Sequence, residues 1–306
     1  MLMQELGEAG PSNAEEMLRP SVLGLDQVER KQEDDDLAAF EAENCKLPPE
    51  AMVLLDLWEQ TIKIRSLKCL FSTQWKIRER VLERLLHAIA LDSLDDPHAV
   101  NLSNLTAVAC VTQILEKALS DNVPPVVTAA FRCLQEALIQ TTPRVLCDLS
   151  LPLVPLLVKK HGVPQCRDHI CELASQIFCC VSSPSDHDAL FRSIIGEDAK
   201  QTGSSAPHPL SAAEIQRIPA KILQSRLELL LDLLGEIRDL DITSTDNTVP
   251  RPTLKKFMDV VRAYIDAPHP KVRAAVCNLV VELHHRAGSS VEPYLAGLAG
   301  PAIEEL

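Results

Sequence analysis

Residues 100–140 read "VNLSNLTAVACVTQILEKALSDNVPPVVTAAFRCLQEALIQ". Two segments carry apolar residues at three- and four-residue spacing, and the polar turn "DNVPP" separates them. That spacing lays one apolar face along each of two helices. Pro124 and Pro125 open the second segment, where the first helical turn has no intrahelical use for its N–H groups and a fixed φ is an advantage. The stretch predicts a helix, a short stiff turn and a second helix.

The pattern recurs in both directions. Upstream, helices are expected over about 51–71 and 75–91, the first entered through "LPPE" at 47–50. Downstream, "LSLPLVPLLVKK", the turn "HGVPQ" and "CRDHICELASQIFCCVS" make a third pair. "SDHDALFRSII" and "AKILQSRLELLLDLLGEIRDL" make a fourth, interrupted by the polar stretch "GEDAKQTGSSAPHPLSAAE". "TLKKFMDVVRAYI", the turn "DAPHP" and "KVRAAVCNLVVELHHRA" close the series. Two-helix units repeating about every 40 residues are the signature of a HEAT-type α-solenoid, armadillo-like in architecture. An aromatic share of 3% beside a hydrophobic share of 46% also favours helix packed on helix over a sheet core. The fold class is therefore all-α, with residues 48–306 forming the array.

Residues 1–47 lack sustained apolar periodicity and include "ERKQEDDDLAAFEAE", which reads as a disordered acidic leader, dispensable for folding, with "LAAFEAE" the one segment suited to a short docking helix. Thirteen acidic and four basic side chains fall in residues 1–50, so net −9 of the chain's −13 lies there. The remainder is close to balanced and has no Lys/Arg block or aromatic platform, which argues against nucleic acid as a partner. The longest apolar run, "LSLPLVPLLV" at 149–158, is short and broken by Pro152 and Pro155, so no membrane partner is expected. No charged start followed by an apolar segment marks a signal peptide, and the cytoplasm is the default.

Ten cysteines are present. Cys69, Cys110, Cys133 and Cys277 lie inside apolar helical patterns, where a reduced thiol packs as a small hydrophobe. Cys166, His169, Cys171, Cys179 and Cys180 cluster in one segment, but a single helix cannot wrap them around a tetrahedral ion and no paired C-x-x-C knuckles occur. No metal is expected, and no cofactor. Phosphate loops, nucleophile elbows and kinase motifs are missing, and ten glycines leave little material for them. "HHR" at 284–286, just before Gly288, reads as cations complementing a helix C-terminus with glycine at the cap. The protein is not expected to be an enzyme.

The turns carry the functional signal. "DNVPPVV" and "DAPHPKVR" both put Asp and then Pro before a helix, and a stack of such stiff turns makes a ridge that can meet a partner with little ordering cost. In "FSTQWKIRERVLERL", residues 71–85, Trp75 falls in the turn itself. Trp75 alone reads as a staple at the helix start. Trp58 and Phe71 already supply bulky anchors nearby, however, and Lys76 and Arg78 follow it. An exposed turn tryptophan ringed by cations suits an acidic partner.

These residues resemble a family. "STQWKIRERVLERL" is similar to the first-repeat turn of TOG domains, and "DAPHPKVRAAV" to the last. The order of "RSLKCLFSTQWKIRERVLERLL", "VTQILEKALSDNVPPVVTAAFRCLQEAL" and the last helix pair resembles the TOG domains of ciliary-tip centrosomal proteins, over about residues 50–300. The resemblance implies a non-catalytic module binding the αβ-tubulin heterodimer through its intra-repeat turns, at the cytoskeleton, centrosome or cilium. It implies contact residues Trp75, Lys76 and Arg78 in the first turn, Asn122 and Val123 in the second, and Lys271 and Arg273 in the last. The third turn offers only Lys159, Lys160 and Arg167, and the fourth has no assigned contact. Arg78 and Arg273 are also placed to bridge helices or repeats. The rival reading is a general HEAT scaffold for a kinase, phosphatase or transport complex, which would carry its cations on inner helices rather than in turns.

Overall fold

The computed structural model describes residues 22–43, 46–91, 99–181, 183–196, 217–237, 242 and 253–296. Among these, every regular element is helical. Helices α1 (Val22–Ala42) and α2 (Pro49–Ile62) come first, then a 3₁₀ segment (Arg65–Phe71) and α3 (Trp75–Ala90). α4 (Leu105–Leu119) and α5 (Pro124–Gln140) follow. Next come α6 (Pro143–Ser150), α7 (Val154–His161) and α8 (Pro164–Cys180). α9 (Pro184–Ile195), α10 (Ala220–Glu236), α11 (Leu254–Tyr264), α12 (Pro270–Ala287) and α13 (Glu292–Leu295) complete the order.

The helices form two layers. α3, α5, α8, α10 and α12 pack each on the next as one layer, while α2, α4, α6, α7 and α9 form the other. Each turn-linked pair crosses between layers: α4 on α5, α7 on α8, α11 on α12. The stripe that the periodicity predicts is the stripe that is buried. In α5, Val126, Val127, Ala130, Phe131, Cys133, Leu134, Ala137 and Leu138 all face the core. Proline opens α5, α8 and α12, so three helices of the first of these layers begin with a residue whose missing N–H costs nothing there.

Two expected helices are interrupted. The segment predicted over 51–71 ends at Ile62, where Lys63 takes a left-handed φ of 61° and donates its N–H to Glu59 O. The chain then turns into the 3₁₀ segment, which buries Leu67, Cys69 and Leu70. In the third pair, Pro152 and Pro155 remove two backbone donors, and the run splits into α6, a 3₁₀ turn over Leu151–Leu153, and α7.

Part of the segment expected as a disordered leader, residues 1–47, is helical. Residues 1–21 lie outside the described residues, but Val22 onward is helix α1, which packs on the 3₁₀ segment. Phe40 of "LAAFEAE" is buried in the core, and Asp36 is 1% exposed. The Asp36 carboxylate receives Arg84 Nη2 at 2.7 Å and also pairs with Arg80. Ser66 N–H donates to Glu33 Oε1 at 2.9 Å. A run that looks solvated on charge alone is matched by arginines one helical turn apart on α3.

The cysteine reading holds for Cys69, Cys110 and Cys133, which are free and buried, as Cys147 also is, whereas Cys277 in α12 is only half-buried. Burial pushes the thiols of Cys69, Cys133 and Cys147 up to about 12. At the end of α12, Gly288 has φ 56° and its N–H caps His284 O, so glycine is needed there. No helix among the described residues is long and apolar enough to cross a membrane.

Candidate partner-binding edge

The first turn is built by α3. Its core positions Ile77, Val81, Leu82 and Leu85 face inward, which leaves Trp75 and Lys76 at its first two positions outside. Trp75 is 37% exposed. Its packing comes in part from Lys76, whose Nζ stands 5.8 Å from the ring centroid, a cation–π contact that keeps the charge beside the indole. The bulky anchor of this repeat is Trp58, buried with Nε1–H donating to Gln113 Oε1 at 2.9 Å.

Arg78 lies behind this surface, its side chain only 13% exposed. Nη1 donates to Ser72 O at 2.7 Å and Thr73 O at 3.2 Å, holding the turn that carries Trp75. Nε and Nη2 form a bidentate pair with Asp121 of the second turn, at 2.7 and 3.2 Å. The expectation of a bridge between repeats is met at Arg78. Arg273 repeats the first half of this device at the last turn: Nη1 donates to Ala267 O at 2.9 Å and Pro268 O at 3.2 Å. In both cases an arginine four residues into the helix reaches back to carbonyls that the turn leaves unpaired.

Asp121 is the hub of the second turn. Its Oδ1 also accepts the Val123 N–H at 2.9 Å, and its backbone carbonyl accepts Lys160 Nζ from α7. Burial pushes the Asp121 carboxyl up, but the Arg78 guanidinium and the N–H groups of Val123 and Asn122 outweigh it and hold the group below its ordinary value of 3.8. A carboxylate with a depressed pKa contributes stability that is present above its unfolded value and is lost as pH falls through the lower folded one. Asp121→Asn is therefore expected to be less stable than the parent at pH 7, with the difference shrinking below about pH 4, in urea titrations across that range. A difference that stays constant with pH would show that the charge of Asp121 contributes nothing to stability.

Asn122 is exposed at the tip, whereas Val123 is half-buried against the core as the residue preceding α5. In the third turn, a Cβ on Gly162 would stand 2.6 Å from Ser225 Oγ and 3.2 Å from Lys221 Cε, so α10 approaches this turn closely. Lys160 is spent on the second turn, and Arg167 is paired with Asp232 of α10 through Nε and Nη2 at 2.9 and 2.8 Å. Lys159 is left exposed.

The close approach at Gly162 locates a residue that the sequence reading missed. Lys221, exposed at the second position of α10, lies beside the third turn and in the same register as Lys76 in α3 and Lys271 in α12. The helix-start signal "PAK" was legible, but the polar stretch before it hid the register. Arg78 on Asp121, Lys160 on Asp121, and Gly162 against Lys221 place the first three turns and the start of α10 side by side along one edge. Lys271 occupies the equivalent place in the last pair and is exposed.

A two-layer array of helix pairs with its intra-repeat turns along one edge is a HEAT-type solenoid, and the solved structures it resembles are TOG domains. The chain is similar to the TOG domain of human Cep104, with a TM-score of 0.58 and 14% identity, over 85% of this chain and 92% of that one. It is similar to Drosophila melanogaster Mini spindles TOG3, with a TM-score of 0.51 and 13% identity, over 78% of this chain and 88% of that one. A third similar structure comes from work on TOG-tubulin binding specificity in microtubule dynamics and mitotic spindle formation, with a TM-score of 0.50 and 16% identity, over 89% of this chain and 94% of that one. No family model matches the chain, and no curated protein does. At such identities the likeness establishes the fold.

Proposed function

We propose that the chain is a non-catalytic module that binds the αβ-tubulin heterodimer through this edge, in microtubule regulation at the cytoskeleton. The observation that carries the reading is Trp75: its ring is exposed, cation-flanked and held on a turn braced to the next repeat by Arg78. An aromatic anchor on a pre-ordered turn binds without a large ordering cost. Exposed Lys76, Lys221 and Lys271 supply positive charge for an acidic partner, with Asn122 at the tip of the second turn. Arg78, Arg273 and Val123 enter as the residues that shape the turns. The likeness to the Cep104 domain extends the reading to the centrosome or cilium.

Co-elution of the chain with purified αβ-tubulin in size-exclusion chromatography tests it. The paired variant Lys221→Glu/Lys271→Glu, which touches no described ion pair, should keep its melting temperature, bind at least tenfold more weakly, and show a shallower salt dependence. Unchanged binding in that variant would move the partner away from the turn edge, toward the inner helices that a general scaffold would use.

A further inference from the structure

We propose that His161, Cys171 and Asp232 form a zinc-type transition-metal site where α7, α8 and α10 meet. His161 Nε2 is 2.9 Å from Asp232 Oδ2, Cys171 Sγ is 3.4 Å from the same oxygen, and Sγ to Nε2 is 3.8 Å. A tetrahedral ion with bonds of about 2.0 Å to nitrogen and oxygen and about 2.3 Å to sulfur sets ligand separations of about 3.3 Å for N···O and about 3.5 Å to sulfur. Each edge of the observed triangle is within about 0.4 Å of these values. The three ligand atoms are thus already spaced as the ion requires.

The donor chemistry agrees. A thiolate, an imidazole and a carboxylate form a mixed set that suits zinc over calcium or magnesium. The His161 side chain is out of solvent, and its Nδ1 has no hydrogen-bond partner, so the ring's polar contacts are all on the Nε2 side that faces the triangle. Asp232 Oδ1, outside the triangle, accepts Arg167 Nη2 at 2.8 Å, a contact able to orient a ligating carboxylate. Oδ2 accepts Arg167 Nε at 2.9 Å as well as the His161 and Cys171 donors. On binding, the ion takes the place of those last two donors. Cys171 loses its thiol proton to solvent, and His161 coordinates as a neutral imidazole with its hydrogen on Nδ1, where no acceptor stands, a cost that the metal–ligand bonds offset.

Three protein ligands leave a fourth position. Cys171 and Asp232 line a groove of about 610 Å³ between α8 and α10, whose walls include Asp168, Glu172, Glu236 and Glu282. Glu282 is paired with Arg286 at 2.8 Å, which leaves Asp168, Glu172 and Glu236 against Arg167 and gives this groove a net negative, cation-attracting potential. Gly235 forms part of the wall, and a Cβ there would meet nothing within 4 Å, so the groove is open at that point. One helix could not supply such a site; the ligands come from three, and residues 171 and 232 are far apart in sequence.

Titration of the reduced full chain with Co²⁺ tests the proposal. One equivalent should produce thiolate-to-cobalt charge-transfer absorption with ligand-field bands of four-coordinate intensity, and Zn²⁺ should displace it. Cys171→Ser, with helicity checked by circular dichroism, should lose the charge-transfer band and bind more than about tenfold more weakly. Cys179→Ser/Cys180→Ser, which removes the two exposed thiols at the end of α8, should keep both. Absence of the band in the parent, its survival in Cys171→Ser, or its loss in Cys179→Ser/Cys180→Ser would each overturn the assignment.

Discussion

Trp75→Ala is expected to weaken tubulin binding by at least about 2 kcal/mol, roughly thirtyfold, while leaving thermal unfolding nearly unchanged. Both halves follow from where the ring lies. A core tryptophan replaced by alanine leaves a cavity costing about 3 to 5 kcal/mol, and that outcome belongs to Trp58, which is 2% exposed. Trp75 is 37% exposed and is covered in part by a mobile lysine, so its removal leaves a recess open to solvent rather than an enclosed cavity. Its apolar area remains available for a partner. The comparison needs melting and co-elution measured on the same two proteins. Unchanged melting with unchanged co-elution would sink the turn-edge reading and leave the scaffold.

Asp36→Ala is expected to cost about 3 kcal/mol of unfolding free energy, the low end for removing one partner from a buried ion pair. Asp36 is buried between Arg84, whose side chain is 18% exposed, and Arg80 at 38%. The alanine would strand two guanidinium groups and release α1 from the array. Truncation through residue 43 should be destabilising for the same reason, contrary to the expectation of a dispensable leader. Urea unfolding decides it: a loss under about 1 kcal/mol in the Asp36 variant would show that α1 is not docked in solution. The truncation should also loosen the first turn, because Ser72 Oγ donates to Glu43 Oε1 at 2.6 Å and Thr73 N–H donates to Glu43 Oε2 at 2.9 Å. Stability and presentation of Trp75 are linked through that carboxylate.

Much of this molecule was legible from local pattern alone. Apolar spacing of three and four residues specifies helices whatever surrounds them, and proline before a helix start specifies where the turns end, so the pairs, their order and the exposed Trp75 could be read from residues close together in the chain. Tertiary structure alone decided the rest. Whether Arg78 faces a partner or another turn depends on Asp121, 43 residues away. Whether "EDDD" is solvated depends on Arg80 and Arg84, and the register of Lys221 depends on how α10 approaches Gly162. The His161, Cys171 and Asp232 triangle depends on three helices meeting. A charged side chain takes its role from the charge it meets, and in a solenoid that charge belongs to the next repeat.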